Sequence, residues 1–213
     1  MPLNPKIRLL AWCAVGALLP VASQAADSAS APVQAAWKVQ EIRYNYVGYT
    51  TAYNCDAAED KIKAILLAVG AHPQTRVRTA GCEFNRPTRN FFVTITAISP
   101  APASEVVKTV NEKSREELLA KLGTKNPVSD DQFPALWKTV DLAHDRRLNL
   151  QPGDCELMDG LRQQVFPKMA IKPVSDRVQC TPRQLSISTP ELTVSALTAA
   201  PTPDQRPNQK PAD

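Results

Sequence analysis

One spacing occurs twice in this chain and constrains its fold more strongly than any other feature. A Trp-Lys pair is followed by a cysteine 18 residues after the tryptophan, and then by a helix-like segment, a strand-like segment and a second cysteine. The residues are Trp37, Lys38, Cys55 and Cys82 in the first half, and Trp137, Lys138, Cys155 and Cys180 in the second. The pattern predicts two copies of one unit, about 100 residues apart, each closed by its own disulfide.

The predicted order of elements within a unit is strand, helix, strand, strand. Ile42, Tyr44 and Tyr46 alternate along the chain, which is typical of one face of a strand. The predicted elements of unit one (35–99) are a strand over 37–49, a helix between the N-cap Asn54 and the stop signal Gly70, and strands over 75–82 and 91–98.

Unit two (135–198) repeats this order with a weaker helix. Pro167 lies at the end of its apolar stripe, so we expect that helix to be shorter or kinked. The predicted elements are a strand over 137–142, a helix capped by Asp154, and strands over 176–180, 185–188 and 192–197.

These elements predict an α+β fold. The duplicated β-α-β-β units would form a mostly antiparallel sheet with the helices on one face, in a ferredoxin-like layout. Two small lobes with separate cores are the alternative. Between the units, the insert 100–134 contains a capping box from Ser114 to Glu117 and a short predicted helix. It could be a lid, but a connector explains it more simply.

The N-terminus predicts export. Residues 1–25 have a basic start, an apolar run and small residues before Ala25, as in a cleaved secretory signal peptide. No later segment has the ~20 apolar residues that a membrane helix needs. A disordered lead (26–34) and a proline-rich disordered tail (199–213) flank the two units. We therefore expect a periplasmic or secreted bacterial protein.

Four cysteines remain after removal of the signal, because Cys13 lies within it. Four cysteines in an exported chain allow three pairings, and the repeat favours the two pairs within units. No two cysteines have the spacing of a zinc site, so we predict structural disulfides and no metal or cofactor.

The chain has few signs of catalysis or nucleic-acid binding. The formal net charge is +4, and two of the cations belong to the signal, which is not the basic footprint of a nucleic-acid-binding domain. No nucleophile elbow, metalloprotease motif, P-loop or dinucleotide motif occurs. We predict no catalytic residue, although carboxylates from distant positions could still assemble a site.

Two groups of residues are candidates for a binding surface. The four tyrosines of the chain, all within ten residues, could stack on sugars or anchor a protein partner, or they could be the packed face of a strand. Two arginines on one strand face could bind carboxylates or phosphates, or they could protect an edge strand. The candidates are Tyr44, Tyr46, Tyr49, Tyr53, Arg76 and Arg78.

The runs 44–49 (YNYVGY) and 153–157 (GDCEL), with the pair Gly81-Cys82, resemble a group of exported proteobacterial proteins of unknown function. The resemblance extends over most of the mature chain. It implies a periplasmic or secreted bacterial protein and carries no activity with it.

The sequence thus favours a non-enzymatic exported module that binds a protein partner or a cell-envelope component such as a glycan. The contact between the two units and the tyrosine face are the predicted places for binding. A secreted hydrolase inhibitor that presents an exposed loop such as 85–89 is the alternative. An envelope hydrolase with an unrecognised carboxylate site is a further one.

Overall fold

The computed structural model describes residues 31–82, 86–109, 117, 120–121 and 132–200. Its elements are β1 (Val33–Val47), α1 (Cys55–Ala68), β2 (Arg76–Ala80), β3 (Asn90–Pro102), α2 (Ala103–Thr109), β4 (Phe133–Asp141), α3 (Cys155–Gln164), β5 (Lys172–Arg177) and β6 (Glu191–Ala199), with 3₁₀ turns at Pro152–Asp154 and Phe166–Met169. The predicted signal peptide, most of the predicted lead and tail, and the helix predicted from Ser114 lie outside the described residues.

The six strands form one antiparallel sheet in the order β2-β3-β1-β4-β6-β5. β1 pairs with β3 through 13 residue pairs, but with β4 only through the three pairs from Val33–Ala135 to Ala35–Phe133. The two halves of the sheet therefore meet at a short central contact. The predicted α+β class and the antiparallel sheet are confirmed.

One buried cluster joins both halves of the chain. It contains Ile42 of β1, Ile62 of α1 and Leu161 of α3, together with side chains of β2, β3 and β6. Both of these helices therefore pack on the sheet face that carries the even positions of β1. Because the core is shared, the alternative of two separately cored lobes is not the arrangement that the chain adopts.

Both disulfides join residues of the same unit, as the repeated spacing predicts. Cys55 pairs with Cys82, and Cys155 pairs with Cys180, with Cα–Cα distances of 6.2 and 5.7 Å. Each bridge links the first residue of a helix to the loop that follows an edge strand. The bridges therefore fix the loops β2–β3 and β5–β6 to the helix N-termini.

Two predictions about local structure were wrong. The segment 185–188 is not a strand; it lies in the loop that connects the directly paired strands β5 and β6. The strand before it lies at Lys172–Arg177 rather than 176–180. In addition, α2 was not predicted, because its sequence ASEVVKT is rich in β-branched residues, which are poor helix formers.

Candidate functional site

The carboxylate of Glu156, in the first turn of α3, holds the loop between β1 and α1. Glu156 Oε1 accepts the Tyr49 N–H at 3.0 Å, and Oε2 accepts the N–H and hydroxyl of Thr50 at 3.2 Å each and the Thr51 N–H at 3.4 Å. These residues are more than 100 positions apart in sequence. One side chain of the second half therefore sets the conformation of a loop in the first half.

Asp154, directly before α3, makes a second connection between the halves. Its carboxylate accepts hydrogen bonds from the Tyr53 hydroxyl at 2.5 Å, the Lys61 ammonium at 2.7 Å and the Gln151 N–H at 2.7 Å. The Asp154 side chain is only 4 % exposed, so the charge is compensated within the protein, as buried charges require. We call loop 48–54 together with residues 151–156 the seam.

Burial raises the pKa of Tyr53, and its hydrogen bond to Asp154 raises it further. Tyr53 therefore stays protonated and remains the donor to Asp154. The combination of a tyrosine, a carboxylate and a lysine occurs in some active sites. Here the Tyr53 ring and the Asp154 carboxylate are buried, and the group connects the two halves of the chain.

Close packing at Gly48 completes the seam. The Gly48 N–H donates to the Arg89 carbonyl at 2.6 Å, and the Tyr46 hydroxyl donates to the Thr51 carbonyl at 3.0 Å. A Cβ atom at Gly48 would lie 2.3 Å from the Thr51 carbonyl oxygen and 2.5 Å from the Tyr46 hydroxyl. The loop can take this path only because position 48 has no side chain.

A crevice of about 250 Å³ opens beside the seam, between the end of β1 and α3. Tyr49 is 54 % exposed beside it, and Val47 is also exposed. We call this the seam crevice. Its lining residues are Asn45, Tyr46, Val47, Tyr49, Glu156, Asp159, Gly160, Gln163, Gln164, Cys180 and Pro182.

The β5–β6 loop (178–190) borders the same crevice, because Cys180 and Pro182 belong to the lining. Beyond Pro182 the loop exposes two aliphatic side chains: Leu185 is 67 % exposed and Ile187 is 99 % exposed. The disulfide to α3 fixes the base of the loop. The loop therefore places two exposed aliphatic side chains on an anchored segment next to a polar crevice.

The structure places the four tyrosines in two different environments. Tyr44, Tyr46 and Tyr53 are buried in the shared core, and Tyr49 lies on the surface. Tyr44 and Tyr46 are buried because the even face of β1 packs under the helices; the Tyr44 ring lies against Gly160 of α3. The four-tyrosine surface that the sequence suggests is therefore reduced to Tyr49.

Arg76 and Arg78 are exposed on the edge strand β2. They line a groove of about 280 Å³ with Glu59, Asp60 and Lys63 of α1. Arg76 donates to the Lys121 carbonyl at 3.3 Å, and Glu59 accepts from Thr79. Because the groove contains two carboxylates beside its three cationic side chains, its charges do not select an anionic ligand.

The sequence predicted binding at the contact between the two units, but it did not predict the Glu156 and Asp154 hydrogen bonds of the seam or the exposed tip of the β5–β6 loop. His144 Nδ1 lies 2.8 Å from Asp141 Oδ2. That pair is on the open surface, with the His144 side chain 80 % exposed. The one sign of the loop in the sequence was the pair of prolines on either side of LSIS.

Two further findings concern the described part of the chain. Its His, Cys, Asp and Glu side chains form no group of three or more that could hold a metal ion. In the same residues, no helix has the length and apolar character needed to cross a membrane.

No protein-family model matches this chain, and no curated protein or solved structure is significantly similar to it.

Proposed function

We propose that this chain is a non-enzymatic binding module, exported to the periplasm or secreted, that engages a protein partner through the seam crevice and the β5–β6 loop. The observation that carries the proposal is the 99 % exposure of Ile187 on a loop fixed by a disulfide. The two disulfides and the features of residues 1–25 support export. The resemblance to exported bacterial proteins is in line with this compartment.

The chemistry of the loop favours a protein over a glycan as the partner. Leu185 and Ile187 have aliphatic side chains, which gain about 1.5–3 kcal/mol each when they are buried in an apolar environment. A glycan presents few apolar surfaces large enough for this, whereas a protein groove does. The loop base is held by a covalent bond, so less conformational entropy is lost on binding than with a free loop.

The experiment compares two single variants of the mature protein as baits for the native cell envelope. Ile187→Asn replaces the exposed tip, and Leu67→Asn replaces a 38 % exposed leucine on α1 as the matched control. We expect Ile187→Asn to lose the captured protein at least tenfold and Leu67→Asn to retain it. Equal capture by both variants would show that the loop is not the binding surface.

A hydrolase inhibitor is the second candidate, because the same loop favours it. Disulfide-anchored loops with an exposed aliphatic residue can occupy the specificity pocket of a protease without large entropic cost. The described loop is better suited than the segment 85–89 that the sequence suggested, because Leu185 and Ile187 are both exposed. Inhibition of one protease in a panel, lost on Ile187→Asn, would support this function over a general binding role.

We also propose that the two halves are copies of one β-α-β-β unit. From the central pair β1 and β4 outward, each half places its first, third and second strands in the same order. Each half also joins the first residue of its helix to the next hairpin loop by a disulfide. An experimental structure in which the halves superpose with Cys55 on Cys155 and Cys82 on Cys180 would support the copy; a best superposition that misaligns them would refute it.

A further inference from the structure

The size of the seam crevice limits what it can hold. Its volume of about 250 Å³ is below the roughly 300–1,000 Å³ of pockets that enclose a drug-sized ligand. The crevice therefore has room for one side chain of a larger partner rather than for a whole drug-sized ligand. This matches its position beside the β5–β6 loop, which would contact the rest of that partner.

The charges in the crevice favour a cation. Glu156 and Asp159 are both in the lining, and the lining contains no Lys or Arg. The cation that contacts Asp159 is Arg162, which is shared with Asp176. Arg183 follows Pro182 in the β5–β6 loop but is not among the lining residues. A carboxylate of the partner would meet two like charges here and is disfavoured.

Free acceptor positions remain on both carboxylates. Glu156 Oε1 accepts one hydrogen bond, from the Tyr49 N–H, and Asp159 Oδ2 accepts one, from the Gln163 amide. A carboxylate oxygen can accept two. The side chains of Asn45 and Gln164 make no hydrogen bond with the described part of the chain, so their amide oxygens are further acceptors.

The exposed ring of Tyr49 adds a third element. A guanidinium or ammonium group over a tyrosine ring is stabilised by about 0.5–1 kcal/mol at exposed sites. The backbone of Tyr49 is fixed by Glu156, so the ring is presented from an ordered loop.

We propose that the seam crevice accepts one basic side chain, arginine or lysine, of the protein partner, with its charge between Asp159, Glu156 and the Tyr49 ring. This inference rests on the proposed function and names the chemistry of the partner at that surface. The partner then has a basic residue next to an apolar groove that receives Leu185 and Ile187.

The test uses N-acetyl-L-argininamide and N-acetyl-L-citrullinamide, which have nearly the same shape but differ in charge. Each is titrated into the ¹⁵N-labelled mature protein, and the amide resonances of Tyr49 and Gly160 are followed. We expect arginine to shift these resonances and to bind at least tenfold more tightly than citrulline. Asp159→Asn and Tyr49→Leu should each weaken arginine binding several-fold, while Phe92→Leu, at an exposed aromatic outside the lining, should not.

Three results would overturn the inference: no shift of these resonances with arginine, equal binding of citrulline, or tighter binding of N-acetylglucosamine at the same resonances. Failure here is separable from failure of the proposed function. If Ile187→Asn still abolishes partner capture, only the assignment of a basic side chain is wrong. If arginine binds as expected but Ile187→Asn captures normally, the loop assignment fails and the crevice assignment stands.

Discussion

Replacing Lys61 by methionine should destabilise the protein by about 3 kcal/mol, because it leaves the Asp154 carboxylate buried without its counter-ion. Breaking a buried ion pair by removing one partner costs about 3–5 kcal/mol. The lower end applies, since the Lys61 side chain is 23 % exposed and water partly solvates the ammonium. The hydrogen bonds from Tyr53 and Gln151 remain in the variant and do not add to this loss.

A double-mutant cycle isolates the pair from these other effects. Lys61→Met, Asp154→Asn and the double variant are unfolded in urea at neutral pH with the disulfides intact. We expect a coupling energy of about 2 kcal/mol. The control is the same cycle at Arg177 and Glu191, whose side chains are 74 % and 54 % exposed, where a coupling of about 0–1 kcal/mol is expected.

The two cycles together decide whether the seam is desolvated. A coupling energy for Lys61 and Asp154 within about 0.5 kcal/mol of the exposed pair would refute the reasoning. High salt provides a second criterion, because screening should weaken the exposed pair more than the buried one.

Three more predictions concern the packing, the bridge and the buried phenols. Gly48→Ala should lower the free energy of unfolding in urea by about 1–3 kcal/mol, because the new Cβ would lie 2.3 Å from the Thr51 carbonyl oxygen. The control Gly153→Ala, whose Cβ would have its nearest atom at 3.2 Å, should lower it less. Equal effects of the two substitutions would contradict the close packing at Gly48. Replacing Cys155 and Cys180 together by serine should lower the unfolding free energy by about 3.5 kcal/mol for a 25-residue separation, and an unchanged urea midpoint would refute a stabilising bridge. Burial raises the pKa of the three buried tyrosines, so their contribution to stability is complete below the unfolded pKa of about 10 and is lost as the pH rises above it. We expect the tyrosinate absorbance to rise together with the loss of near-UV circular dichroism. Ionisation of all three tyrosines in a protein that stays folded would be the contrary result.

Local signals made much of the fold predictable. The N-cap and apolar stripe of α1, the alternation in β1 and the β-branched run in β3 each gave an element of the correct type. The pairs Cys55–Cys82 and Cys155–Cys180 were predicted correctly because the spacing repeats. Only cysteines that lie close together, as those of one unit do, can form a bridge. The 3₁₀ turn that contains Pro167 ends the helix where proline was expected to disturb it.

The candidate site was not predictable in the same way, because it depends on how the halves meet. The contacts of Glu156 with loop 48–51 cross more than 100 residues, and no local pattern signals them. The alternation of Tyr44 and Tyr46 predicted strand β1 correctly. Whether their face of the strand is buried or exposed depends on where α3 packs, which the local sequence does not show. Leu185 and Ile187 alternate like strand residues, and only the structure shows that they lie in the loop between β5 and β6.

Contact between the β5–β6 loop and a partner protein can be tested most directly by site-specific photo-crosslinking. A photoreactive phenylalanine is placed at position 187 in one sample and at position 67 in another, and both proteins are irradiated in the native envelope. We expect one dominant protein adduct from position 187 and none of that adduct from position 67. The same adducts from both positions, or none from position 187, would contradict this contact.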